Sequence, residues 1–593
     1  MALPEPTPEQ WAAIRRPGRF VLRACPGSGK TFVVAHRIAD RLGKWSEPHA
    51  GVAGLSFTNV ACAELQQSLT RLGVTNANRY PHFLGTIDKF IDTFIFLPFG
   101  HRVMGCSVRP VLVGFDEKPW SRCGAWAWQH AECNRACDLT HFSWDLSGGL
   151  VDIRPNPVKC ALNHRRCLEL KARFSKAGYA TQTDAAYWAV QVLERYPWVA
   201  RALVRRFPEL IIDEAQDTSH AQMRVVDLLV SAGANEVMLV GDPDQAVYEW
   251  RTAHPELLVM KMTASDWGPP SELTENRRST QSICNATFSF SSLGAPPTGR
   301  PGGIQPKLCF YNEAAPEAAL QAFLDLCTTT GVPIGPDTAA VLVRGHTLLR
   351  RMLRLPSEVD PWRDGNVCAK LLVRAALERD CGRLKAAWRL AETAIAQLVT
   401  PEVPQDAAAT DATDLRRISA NLVKAIRALP HSDLSLRLWI PQAQQVLGTW
   451  AREVGLPWAT DVLDAIVAKT YTTINRKRIT EFWDWPVRSF FGLAPGTVPV
   501  TVETIHAAKG KTYEAVMFVL GGRGKCTPKT LSDDPPDFEA MRMAYVAMTR
   551  PRSVLVVAVP EGTKPDRLHR FRGFEHVSSL ADLSPGELTP VKD

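Results

Sequence analysis

Gly27-Ser28-Gly29-Lys30-Thr31 stands between a short apolar run, Phe20-Val21-Leu22, and a helical pattern carried by Val33, Val34, Ile38 and Leu42. Backbone N–H groups of such a loop can surround phosphate oxygens, and the N-terminus of the helix that follows adds favourable dipole charge. Lys30 is then placed to reach β- and γ-phosphates, and Thr31 to ligate magnesium. The general pattern opens on glycine where this chain has Ala24. A second reactive group, Asp213-Glu214, follows the apolar run Leu210-Ile211-Ile212. At the end of a buried strand beside the phosphate loop, Asp213 would hold the metal, directly or through water. Glu214 would orient and deprotonate an attacking water, with Gln216 a candidate γ-phosphate sensor. Cleavage of a terminal phosphate also needs positive charge where negative charge develops. The candidates Gln245, Arg278 and Arg550 lie far off in dense polar motifs, as expected if two domains close around ATP.

These groups need strands and turns to hold them. Short apolar strands running into helices recur at 20–22, 52–57, 210–214, 237–242 and 339–344, and again at 500–502, 515–519 and 554–557. Between them, 91–205 and 361–493 are dominated by helical patterns. Two α/β domains, each interrupted by a mainly helical insertion, account for this alternation economically. The expected boundaries are 1–90 and 206–270 for the first domain, with 91–205 inserted. Residues 271–360 and 494–593 form the second, with 361–493 inserted.

Hydrophobic residues make up 45% of the 593 and charged residues 22%, which argues against extensive disorder. The net charge of +8 suits a nucleic-acid partner but is spread too widely to identify one. No apolar stretch reaches membrane-spanning length and the N-terminus has no secretory pattern, so a cytoplasmic location without membrane attachment is expected. The 14 cysteines are irregularly spaced and read as reduced thiols. Cys123, His130, Cys133, Cys137, Cys160, His164 and Cys167 fit no common zinc or iron–sulfur spacing.

Taken in order, the motifs resemble those of the UvrD/Rep-type superfamily 1A DNA helicases. The resemblance rests on Thr7-Pro8-Glu9-Gln10, on residues 24–31 and 55–65, and on Ile211-Ile212-Asp213-Glu214-Ala215-Gln216-Asp217. It continues through 240–251, Leu273-Thr274-Glu275-Asn276-Arg277-Arg278-Ser279, Thr504-Ile505-His506-Ala507-Ala508-Lys509-Gly510 and Tyr545-Val546-Ala547-Met548-Thr549-Arg550. It implies two RecA-like P-loop NTPase domains, with ATP and Mg2+ as cofactors. Gln10 would contact adenine, and Gly27, Ser28, Gly29, Lys30 and Thr31 would cradle the phosphates. Gln245 would sense ATP, Arg278 would face the phosphates and Arg550 would act as an arginine finger. Phe57, Thr58, Asn59, Thr86, Tyr248, Trp250 and His506 would touch single-stranded or tailed duplex DNA, with 3′-to-5′ translocation.

Three positions depart from the family pattern. Arg277 stands where a tyrosine commonly stacks on adenine, and a guanidinium can stack there too. Thr512 replaces a glutamate linked to ribose contact. Asp88 replaces a histidine and is expected to position Lys89 or a backbone amide instead of phosphate. Residues 83–92 with Leu97-Pro98-Phe99 look similar to compact helicases of anti-phage systems, notably the helicase subunit of Gabija, which implies a partner nuclease. A stand-alone repair or recombination helicase and a DNA-activated ATPase switch are the alternatives. Asn475-Arg476-Lys477-Arg478 with Phe482, Trp483 and Trp485 is either a duplex contact or a solvated turn beside packed aromatics.

Overall fold

Strands β1 (Arg19–Ala24), β2 (Val52–Ser56), β3 (Phe83–Thr86), β4 (Glu209–Ile212), β5 (Glu236–Gly241) and β6 (Ser271–Leu273) build one sheet in the computed structural model. Their order is β6-β1-β5-β4-β2-β3, and every pairing is parallel. The structure describes residues 5–114, 127–130, 135–154, 165–247, 253–353, 367–399, 421–455, 472–474, 477–479, 481–490, 499–577 and 580. It divides into two compact units. One holds Met1–Leu112, Phe142–Arg354 and Val498–Asp593; the other holds Val113–His141 and Leu355–Thr497.

The apolar strands of this sheet are near-continuous because both faces are covered. Alternate side chains go to opposite sides. Phe20, Leu22, Ile211, Met238 and Val240 pack with Val33, Ile38, Leu65 and Leu69. Val21, Leu210, Ile212, Val237 and Leu239 pack with Val225, Leu229 and Ala185. The helices start where the sequence supplies caps: the Thr58 hydroxyl accepts from the Ala61 N–H at 3.1 Å, and Ser219 and Gln222 form a capping box.

A second all-parallel sheet follows in the same unit. It comprises β7 (Lys307–Tyr311), β8 (Ala339–Val343), β9 (Thr501–Thr504), β10 (Tyr513–Val519), β11 (Pro551–Pro560) and β12 (Glu575–Val577), in the order β9-β8-β10-β11-β7-β12. Leu342, Phe518 and Val557 face one core with Met543 and Ala547, while Val341, Met517 and Val556 face another with Leu320 and Phe323. The expected pair of α/β domains is present.

The stretch 91–205 is less purely helical than its sequence pattern. Among its described residues, helices Arg165–Lys176 and Gln182–Arg195 accompany the antiparallel pairs Ala127–His130 with Arg135–Asp138 and Phe142–Trp144 with Leu150–Asp152. Its two ends carry Ile91, Ile95, Phe96 and Val192 into the core of the first sheet. In the second unit, helices Val367–Asp380, Leu384–Val399 and Leu436–Val454 share a core that includes Leu372, Ala391 and Trp439. Trp483 and Trp485 pack against that core. Asn475, Arg476 and the Phe482 side chain lie outside the described residues. So do Tyr248 and Trp250, and of the seven Cys/His candidates only the Cys167 side chain is described.

Candidate nucleotide site

β1 delivers the chain into a tight turn in which Gly27 and Gly29 take φ of 75° and 85°. These left-handed values suit residues without a Cβ. At Gly27 the space is also filled: a Cβ there would lie 2.2 Å from the Asn276 Oδ1. The Arg277 N–H donates to the Gly27 carbonyl at 3.1 Å, so the loop rests on the segment that follows β6. Helix Lys30–Gly43 starts directly behind the loop, with Gly29 as its cap. Gln10 reaches the same turn and donates from Nε2 to the Ser28 carbonyl at 2.9 Å. Its Oε1 accepts the Thr7 N–H at 3.0 Å, closing a capping box on helix Pro8–Arg15.

β4 is flanked by β2 and β5, so its C-terminal end falls beside the loop. The Asp213 N–H extends the ladder to the Leu55 carbonyl at 2.8 Å, and the Thr31 hydroxyl donates to the Asp213 Oδ2 at 3.4 Å. A hydroxyl and a carboxylate are hard oxygen donors of the kind magnesium takes together with phosphates and water, so these residues fit that ion. Burial, then the neighbouring Glu214, raises the Asp213 carboxyl against the opposing pull of Lys30. Glu214 behaves oppositely. Burial would raise it, but Lys30 and Lys509 outweigh that and hold the carboxylate ionised. Glu214 has φ of 56°, a strained value for a side chain of this size. It accepts a hydrogen bond from the Gln216 Nε2, whose Oε1 accepts the Asp242 N–H at 3.2 Å.

Cations remote in sequence from the phosphate loop converge on this group. Arg550, buried at the end of helix Phe538–Met548, donates from Nη2 to the Gln245 Oε1 at 2.9 Å and from Nε to the Val546 carbonyl at 2.9 Å. Gln245 donates in turn to the Asp242 Oδ2 at 2.6 Å. Arg278 donates to the Thr549 carbonyl at 3.1 Å. The Lys509 ammonium pairs with Asp217 and lies 3.9 Å from the Glu214 Oε2. Burial pushes Arg278 down to about 9, with Arg550 adding repulsion, and pushes Arg550 down to about 10. A buried guanidinium, a half-buried one and two lysines around a phosphate-type loop make a site suited to a polyanion.

The remaining candidates are placed as follows. Phe57 and Thr58 are half-buried at the end of β2, and Asn59 is exposed. The Thr86 hydroxyl accepts the Lys89 N–H at 3.1 Å. The His506 Nε2 lies 3.1 Å from the Val247 carbonyl, one residue before the undescribed Tyr248. Arg277 lies 3.6 Å from Glu275. Asp88 differs from expectation: it accepts from the Gln222 Nε2 at 2.7 Å and positions neither Lys89 nor a backbone amide. Burial penalises its charge, and the amide of the neighbouring helix supplies the compensation. Lys509, Asp217, Asp242 and Asn276 were not singled out by sequence reasoning. Each lies inside or beside a quoted motif, but only proximity in the fold gives it a partner.

Residues 6–99 and 163–264 match the UvrD/REP helicase N-terminal domain, and residues 496–561 match the UvrD-like helicase C-terminal domain. The chain is 25% identical over 296 residues to DNA helicase II of Haemophilus influenzae, covering 45% of this chain and 38% of that protein. DNA helicase II of Salmonella typhimurium is 24% identical over 47% of this chain and 39% of its own length. The exonuclease/helicase subunit RexA of Streptococcus pneumoniae is 36% identical over 108 residues, which are 18% of this chain and 9% of that protein. The chain thus spans less than half the length of these relatives. The matched segments are similar to the two domains of UvrD-like helicases, and the two parallel sheets are consistent with a pair of RecA-like domains.

Proposed function

We propose that the chain is an ATP-driven helicase acting on DNA, in repair or recombination. The observation that carries the reading is the hydrogen bond from Arg550 to Gln245, which joins the C-terminal cation to the phosphate-site network across 305 residues of sequence. In this reading Gly27, Ser28, Gly29 and Lys30 hold the phosphates, and Thr31 with Asp213 would hold magnesium, which supplies charge neutralisation. Water attacks the γ-phosphorus while Glu214 accepts its proton, the bond to the β-phosphate oxygen breaks, and Lys30, Arg278 and Arg550 face the charge that develops.

Coupling to DNA runs through one segment. Gln245 meets Arg550, and two residues on the Val247 carbonyl meets His506. Val247 itself packs in the core of the second sheet. A change in the grip on phosphate therefore has a short covalent path to Tyr248 and Trp250, the proposed stacking residues. Phe57, Thr58, Asn59 and Thr86 would complete the strand contacts. The polarity proposed is 3′ to 5′.

A role in anti-phage defence has less support than repair or recombination. Among the residues carrying that resemblance, Phe83, Phe90 and Ile91 do core work: Phe83 and Phe90 stand with centroids 5.7 Å apart and pack on Phe207. A nuclease partner is favoured by short likenesses, over 108 residues, to helicase/nuclease subunits, RexA among them. Strand displacement on 3′-tailed, 5′-tailed and blunt duplexes, with ATP and with Lys30→Ala, tests the reading. ATP-dependent opening of the 3′-tailed duplex alone, lost in Lys30→Ala, is expected. ATP hydrolysis without displacement would leave a DNA-activated switch.

A further inference from the structure

His220, His254 and Glu256 bring three ligand atoms within 4.8 Å of one another, outside the nucleotide site. They come from two helices distant in sequence. His220 opens helix His220–Ser231, behind its cap Ser219. His254 caps helix Pro255–Thr263, and Glu256 lies in its first turn. The His254 N–H donates to the Thr218 carbonyl at 3.1 Å, so backbone as well as side chains fixes the approach. The imidazole centroids are 4.0 Å apart, and the His254 Nδ1 lies 2.7 Å from the Glu256 Oε1.

We propose that these three side chains form a zinc-binding site. Two ring nitrogens and one carboxylate oxygen are the donor set of zinc sites that keep a fourth position for water. Tetrahedral ligands at zinc distances stand about 3.4 Å apart, so modest side-chain rotations suffice to close the group around an ion. His220 and Glu256 are exposed and His254 is half-buried, so an ion can enter from solvent. The positive ends of two helices oppose a cation here, and the Glu256 carboxylate offsets that charge.

The site has a position that matters for the motor. His220 follows Asp217 by three residues, and His254 follows Val247 by seven. Zinc would therefore clamp the turn behind Asp213 and Glu214 to the far end of the segment carrying Tyr248 and Trp250. Such a clamp stiffens the link between hydrolysis and strand contact. The chemistry selects borderline metals over magnesium, which prefers oxygen ligands throughout.

The test uses the full chain, stripped with chelator and titrated with zinc chloride by calorimetry in buffer containing magnesium. A zinc-binding event is expected in the wild type. It should weaken by at least about a hundredfold in His220→Ala/His254→Ala and by at least about tenfold in Glu256→Gln, since ligands outrank the outer groups whose loss already costs 10–100-fold. Zinc should also raise the thermal midpoint of the wild type and leave that of the double variant unmoved. Equal zinc affinity and stoichiometry in wild type and double variant would overturn the proposal, as would absence of binding to the wild type. If His220→Ala/His254→Ala unfolds, Glu256→Gln alone decides, and unchanged affinity there removes the carboxylate from the site and overturns the three-ligand proposal.

Discussion

Replacing Glu214 by glutamine removes one charge while keeping the side chain's volume and its hydrogen bond to Gln216. In the native site that carboxylate is 3.9 Å from the Lys509 ammonium and is held ionised by Lys30 and Lys509. Lys509 keeps its partner Asp217 in the variant, and Lys30 keeps Asp213 and Asp242 nearby, so the fold should survive. A general base contributes about 10²–10⁴-fold, which corresponds to about 3–5 kcal/mol of barrier. Glu214→Gln should therefore lower kcat of DNA-stimulated phosphate release by that factor at saturating ATP. Binding of a fluorescent ATP analogue should be equal or tighter, because one negative charge beside the γ-phosphate has gone. A kcat within fivefold of wild type, alongside an inactive Lys30→Ala, would refute Glu214 as the base. Loss of nucleotide binding would mean that the residue shapes the pocket instead.

Four further outcomes follow from the structure. Arg550→Ala should cut kcat by about 10³-fold or more, the usual range for an arginine facing the transferred phosphoryl group, while nucleotide still binds; a tenfold effect would demote it to a structural contact with Gln245. Gly27→Ala places a methyl 2.2 Å from the Asn276 Oδ1 at φ 75° and should weaken ATP binding at least about tenfold, whereas Gly73→Ala, at φ 79° with nothing within 4 Å, should leave ATP affinity unchanged. Arg37→Ala strips the fully buried guanidinium that donates to Glu209 at 2.8 Å and to the Arg16 carbonyl at 2.6 Å; urea unfolding should show a loss of about 3–5 kcal/mol. Burial raises Asp92 to about 7, against the pull of Gln182, so the native state binds the proton more tightly than the unfolded chain. The Asp92 contribution to stability then falls as pH rises from about 4 to 7, and thermal melts should show the advantage of Asp92→Asn growing over that window and levelling above it.

The local chemistry of this protein was legible in its sequence. A glycine turn between a strand and a helix can be read from residue types alone, and so can an acidic pair closing an apolar strand. Both are properties of short windows: backbone freedom at Gly27 and Gly29, and the burial demanded by Leu210, Ile211 and Ile212. The two parallel sheets could likewise be inferred, because strands buried on both faces leave uninterrupted apolar runs. What surrounds those windows required the fold. Gln10 spends both ends of its amide on Thr7 and Ser28, Asp88 finds Gln222, and His220 meets His254, none of which any spacing in the chain encodes. The helical reading of 91–205 missed the hairpins and the share that its ends take in the first core, since an apolar helix face does not state what it will cover. Arg550 reaches Gln245 only because each sits at the end of an element whose place is set by parallel register, β4 against β5 and β10 against β11. Sequence specified which groups could do chemistry; packing of the sheets and helices decided which of them share a site.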